Sequence, residues 1–239
     1  MSRATWGPGS PHCWDISRRF VVERERDNTA RLTRDIQYSD ISVHTEPLDV
    51  WQNLNGTDFL DLAYTNPQRW GMTFESLVTL TMAEIHLGGS LGSSDYRPVK
   101  VMERSVHSAR ACFIEYIRPS ITGGEMAVLD SWYDLLNNHK NYDMEVDLII
   151  CLQTSPEVAL TRVRGRQRAE EQQIQLEFFK KMNSLHQDWL INRNSTTVGP
   201  PPQVLVINAD QDISVLTRTY SKLAKMIWKL IPKEMRNVL

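Results

Sequence analysis

Leu148-Ile149-Ile150-Cys151-Leu152 is five apolar residues in a row, with no polar residue alternating among them. A strand with one face in water alternates. A continuous run of this length fits a parallel strand covered on both faces. Three further segments, 40–45, 99–103 and 203–208, read as strands, the last launched by Pro200-Pro201-Pro202. Helical patterns lie between them. Phe74, Leu77, Val78, Thr81, Met82 and Ile85 recur at spacings of three and four, one face of a long helix. Other helices are predicted over 105–117, from Ser155-Pro156 with proline at the favoured first position, and over 176–190 and 215–230. Strands alternating with helices imply an α/β fold with a parallel sheet. Gly88 to Ser94 reads as a loop.

Composition narrows the class of function. The 239 residues suit one domain with a substantial core, and a net charge of -2 argues against a nucleic acid polymer as partner. Cys13, Cys112 and Cys151 are widely spaced and odd in number, which predicts neither a metal site nor a disulfide framework. No apolar run approaches the ~18 residues of a membrane span. The sequons at Asn55 and Asn194 are read as chance, because no secretory signal accompanies them. Residues 1–40 hold seven Arg and no Lys, a hint of a mitochondrial transit peptide, but Asp15, Glu23, Glu25 and Asp27 break the acid-poor rule for such peptides. A mitochondrial or cytoplasmic location is expected.

Three clusters carry chemistry. His44-Thr45-Glu46-Pro47, with Trp51 after it, follows a predicted strand. Ligands of open α/β sheets bind at that end. Met102-Glu103-Arg104-Ser105 follows a second strand. Arg162, Arg164, Arg166 and Arg168 run into Glu170-Glu171. Each has a bland explanation: a surface acid capping the Pro47 turn, a solvated acid–base pair, and a solvated basic face.

In that order and spacing the clusters resemble the deoxynucleoside kinases, in the branch of mitochondrial thymidine kinase and the insect enzyme. The resemblance covers about residues 36–230. It implies a P-loop-kinase-like parallel sheet flanked by helices, and transfer of the ATP γ-phosphoryl group, with Mg²⁺, to a deoxynucleoside 5′-hydroxyl. It makes Glu46 the base for that hydroxyl, Arg104 a partner of the 5′-oxygen and phosphate, and Glu103 a group near the metal. Arg162, Arg166 and Arg168 become lid arginines. Glu171 and Tyr64 bind the sugar 3′-hydroxyl, and Asn208 and Asp210 lie by the adenine. Trp51, Phe74, Val78, Met82 and Phe113 wall the base pocket, Met82 and both phenylalanines having plain core packing as the bland alternative. Ala109, small where deoxycytidine kinase carries an acid, points to the thymidine-kinase branch. The resemblance also implies a homodimer paired through helices.

Two departures stand out. No Gly-Lys-Ser or Gly-Lys-Thr occurs anywhere, so the loop that holds ATP phosphates has no recognisable counterpart. Residues 1–35 form an atypical segment, either disordered or replacing the first strand and helix, ahead of a kinase-like domain at 36–239. Losing a central strand would expose two interior sheet edges. Phe20-Val21-Val22 is the short apolar run able to fill that gap, with a helix over 29–37 after it. The second departure is Glu75, where the family places glutamine. An ionised carboxylate only accepts, and faces thymine O4 as a like partial charge. Besides an active kinase, the sequence leaves open an inactive nucleoside-binding or dimerising pseudokinase, and an accessory subunit of a larger complex.

Overall fold

The computed structural model describes residues 18–23, 41–88, 99–166, 171 and 173–230. Five parallel strands form one sheet: β1 (Arg18–Glu23), β2 (Ile41–His44), β3 (Val99–Glu103), β4 (Leu148–Gln153) and β5 (Gln203–Asn208), in the order β2-β3-β1-β4-β5. The Phe20-Val21-Val22 run therefore takes the central place. Phe20 pairs with Val101 on one side and Leu148 on the other, leaving no interior edge unpaired there. The predicted helix over 29–37, the run 24–28, most of the predicted loop 88–94, Arg168 and Glu170 lie outside the described residues.

The unbroken apolar run of β4 has a direct cause. Ile150 and Leu152 pack with Val99, Val101, Leu216, Tyr220 and Leu223 on one face. Ile149 and Cys151 pack with Met102, Cys112, Met182 and Trp189 on the other. Both faces are covered, so neither register can be polar.

Nine helices are named here: α1 (Leu48–Gln52), α2 (Phe59–Thr65), α3 (Pro67–Leu87), α4 (Val106–Ser108), α5 (Ile114–Ile117), α6 (Gly123–Asn138), α7 (Pro156–Arg166), α8 (Leu176–His186) and α9 (Ile213–Leu230). A π-helical turn over Ala109–Phe113 joins α4 to α5, and a second, Gln187–Ile191, extends α8. The helix predicted from Phe74 starts earlier, at Pro67. Asn66 caps it, its Oδ1 accepting from the Arg69 N–H at 3.1 Å. Periodicity did not reveal α6, because only Met126, Leu129 and Tyr133 are buried along it. Its capping box, Thr122 with Glu125, was nevertheless readable.

Lys100 on β3 is buried and donates to the carbonyls of Ile85 at 2.8 Å, His86 at 3.0 Å and Gly88, so a cation closes the C-terminal end of α3. His186 on α8 is buried. Its Nδ1 donates to the Met182 carbonyl at 2.8 Å and its ring stands edge-on to Phe113 at 6.2 Å. The reason is that α8 packs on two sides, against the sheet layer and against the π turn after α4.

Candidate active site

The charged cluster forms where β2 and β3 end. Glu46, two residues after the end of β2, points inward, with only 5 % of its surface exposed. Its backbone N–H donates to Glu103 Oε2 at 3.3 Å, which ties the two strand ends together. Arg104 takes a left-handed backbone conformation, φ +60°. That costs a branched or long side chain roughly 1–3 kcal/mol and persists where surrounding contacts over-determine it. Those contacts are present. Arg104 Nη1 lies 2.7 Å from Glu46 Oε1, and the guanidinium sits 3.9 Å over the Phe113 ring. Ser105 then caps α4 by a reciprocal box with Ser108, so the strand-to-helix turn is fixed on both sides of Arg104.

Beside this cluster opens a cavity of about 280 Å³. Trp51, Phe74, Val78 and Phe113 supply apolar walls, and Arg104 and Glu75 supply charge. Trp51 is held by its indole N–H, which donates to Thr81 Oγ1 at 3.0 Å, and by an edge-to-face contact with Phe74 at 5.7 Å. The π turn carries Phe113 at its last position. Such widened turns recur at functional sites. Inside the same turn Arg110 is buried and neutralised by Glu115 and by Asp130, the latter at 2.6 Å.

The predicted stripe Glu75–Val78–Met82 divides. Glu75 and Val78 reach the cavity, while Met82 packs in the core behind it with Ala83, Val106 and Ala109. Ala109 likewise backs the wall rather than lining it. Tyr64 lines the cavity from α2. Burial raises the Glu75 carboxyl to about 8, Arg104 nearby opposing and Glu46 adding. Glu171 is buried in the segment between α7 and α8 and is not a cavity residue.

The other end of the sheet is built differently. Arg162 on α7 donates to the Ala209 carbonyl at 2.9 Å. Asp210 Oδ1 accepts from the Ser155 N–H at 2.8 Å, and Asn208 Oδ1 accepts from the Asp210 N–H at 2.9 Å. Asn208 and Asp210 thereby fasten the turn after β5 to the start of α7. Arg164 is exposed, and Arg166 ends α7.

Sequence reasoning missed one wall. Tyr116 and Ile117 of α5, Gln173, and Phe178 of α8 close the cavity from elements far along the chain. Phe178 stands edge-on to Tyr116 at 4.9 Å. The helix over 176–190 was legible, but not that Phe178 meets Tyr116 of α5. Among the described residues no cluster of three or more His, Cys, Asp or Glu could hold a metal by itself, and no helix is long and apolar enough to cross a membrane.

Known proteins align with this sequence. The family model for deoxynucleoside kinase matches residues 29–232. Mitochondrial thymidine kinase 2 of Homo sapiens is 36% identical over 228 residues, covering 93% of this chain and 82% of that protein. The Macaca fascicularis counterpart is 37% identical over 186 residues, 77% of this chain and 67% of that one. Deoxycytidine kinase of Homo sapiens is 35% identical over 148 residues, 60% of this chain and 56% of the other.

Proposed function

The chain belongs to the deoxynucleoside kinase family, and from that premise we propose that it binds a deoxynucleoside in the cavity beside β2 and β3. There the 5′-hydroxyl faces the γ-phosphoryl group of ATP. The observation that carries this reading is the Glu46–Arg104 pair at 2.7 Å, with Arg104 forming part of the cavity wall. Glu46 orients the hydroxyl and accepts its proton as the oxygen attacks phosphorus. The bond from γ-phosphorus to the bridging oxygen breaks, and ADP leaves. Arg104 stays charged throughout and pairs with the oxyanion. Glu103, a carboxylate at the same strand end, fits Mg²⁺, which takes one or two carboxylates together with phosphate oxygens. When bound, that ion neutralises charge on the phosphates. Arg162, Arg166 and Arg168 act from the lid side, Tyr64 serves the sugar from the cavity wall, Glu171 serves it from the segment whose Gln173 and Ile174 line that wall, and Asn208 and Asp210 lie toward the adenine.

A specific observation favours a second reading. Arg24-Glu25-Arg26-Asp27-Asn28, directly after β1, contains neither glycine nor lysine. A run without glycine or lysine is poorly suited to hold donor phosphates, and donor positioning is most of this catalysis. In that reading the chain binds nucleoside as a pseudokinase or an accessory subunit. A phosphoryl-transfer assay with four deoxynucleosides, run beside calorimetric binding, separates them. Binding with turnover at least ~100-fold below an ordinary enzyme is the expected result, from the scale of losing one preorganised electrostatic element. Turnover on the order of 1 per second makes the glycine loop dispensable. No binding ends the nucleoside reading.

The same reading includes a homodimer. Val128, Trp132 and Leu135 fall at i, i+4 and i+7 on α6 and are exposed, Trp132 by 49 %, and α3 beside it exposes Leu80. Light scattering at micromolar concentration gives a dimer mass if this face pairs, and a monomer mass if it does not.

A further inference from the structure

Glu75 stands out within the cavity. It lies in the middle of α3, is 4 % exposed, and its Oε2 is buried with no hydrogen-bond partner. No ion pair reaches it among the described residues. Arg104, the cation in electrostatic reach, is already held by Glu46 and stacked on Phe113. An ionised carboxylate in this place lacks the pairing that burial of charge demands. Trp51, Phe74 and Phe113 line the same cavity as Glu75 and offer apolar surface to a planar ring whose edge meets the carboxyl.

We propose that Glu75 reads a pyrimidine base as a neutral carboxylic acid, donating its O–H to a base acceptor and accepting a base N–H on its other oxygen. This rests on the deoxynucleoside reading of the cavity and adds the protonation state and the edge chemistry. A neutral acid offers one donor and one acceptor, the pair an amide also presents. Toward thymine the O–H meets O4 and the carbonyl oxygen takes N3–H. Toward cytosine the O–H meets N3 and the carbonyl oxygen takes the exocyclic amine. Because either oxygen can carry the proton, both patterns form without turning the side chain. The difficulty the sequence raises, an acceptor-only group facing O4, is removed by burial.

Desolvation raises the carboxyl to about 8, so it is protonated at neutral pH and ionises above that value. Tyr64 from α2, Tyr116 from α5, Glu177 from α8 and Arg104 from the end of β3 face the same cavity, with Glu46 behind Arg104. Glu75→Gln keeps all of them and holds one donor and one acceptor at every pH. Any pH dependence that survives in it belongs to those other groups or to the N3–H of thymine itself.

The test is calorimetric titration of thymidine into wild type and Glu75→Gln at pH 6.5 and pH 9. Similar affinity is expected at pH 6.5. At pH 9, one unit above the titration, about one molecule in eleven carries the proton, so wild type binds about ten-fold more weakly while Glu75→Gln is unchanged. Binding at pH 9 then takes up close to one proton in wild type and none in the variant, read from the heat in buffers of different ionisation enthalpy. Parallel pH profiles overturn the neutral acid and leave the nucleoside cavity standing. Failure of both proteins to bind any deoxynucleoside overturns both. Infrared spectroscopy of wild type alone decides the protonation state without the variant. A protonated-carboxyl band at pH 7 that fades by pH 10 is expected, and its absence overturns the proposal.

Discussion

The two ends of this sheet treat polar groups in opposite ways. At the ends of β2 and β3, Glu46 and Glu103 are buried, Glu75 is buried close by on α3, and Arg104 is held in strained backbone against an aromatic ring. At the end of β5, Asn208 and Asp210 are exposed and spend their side-chain oxygens on neighbouring backbone N–H groups. The second arrangement is turn chemistry and is complete without a ligand. The first keeps charge out of water at a cavity, which folding alone does not favour. A ligand with a polar edge gives Glu75 a partner. The contrast supports the proposal that a nucleoside binds at the ends of β2 and β3.

The largest effect expected is at the carboxylate. Glu46→Gln lowers the rate of phosphoryl transfer by about 10²–10⁴, the range for a general base, while nucleoside binding measured by calorimetry persists. Equal loss of both would make Glu46 a structural partner of Arg104 only. The converse change acts on the donor side. Replacing residues 24–28 by a glycine-rich loop ending in lysine raises transfer about 100-fold, the scale of one preorganised electrostatic element. No gain in the same assay means the weakness lies elsewhere.

A third prediction concerns stability. The Glu75 carboxyl is raised in the folded protein from 4.5 to about 8. Stability tied to its protonated form is therefore fully present below about pH 4.5 and is lost as pH rises toward 8. Relative to wild type, Glu75→Gln gains stability across that window, by roughly 3–5 kcal/mol at its upper end, because burial of the charge is complete. Denaturant unfolding of both proteins at pH 5 and pH 8 measures the gap, and a gap independent of pH contradicts the burial. The smallest effect is at the far end of the sheet. Asp210→Ala removes one exposed hydrogen bond to Ser155 and costs about 0.5–1.5 kcal/mol, with nucleoside affinity unchanged. A large loss of affinity there would dissolve the contrast between the two ends.

The sequence by itself determined the α/β class, four of the five strands to within a residue at each end, and which motifs follow them. These are local properties: a continuous apolar run marks a doubly covered strand, and what comes next must lie at its C-terminal end. It also marked Phe20-Val21-Val22 as the run able to fill the sheet, and the pairings of β1 on both sides bear that out. Only the tertiary structure decided which residues of one helical stripe reach the cavity. Glu75 and Val78 do and Met82 does not, because the answer depends on where α2 and the π turn stand. Likewise it closed the cavity with Tyr116 and Phe178, more than sixty residues apart in sequence, and turned His186 inward. The protonation of Glu75 belongs to the same group. A carboxylate's letter in the sequence says nothing of the water around it, and its charge follows from burial that distant segments impose.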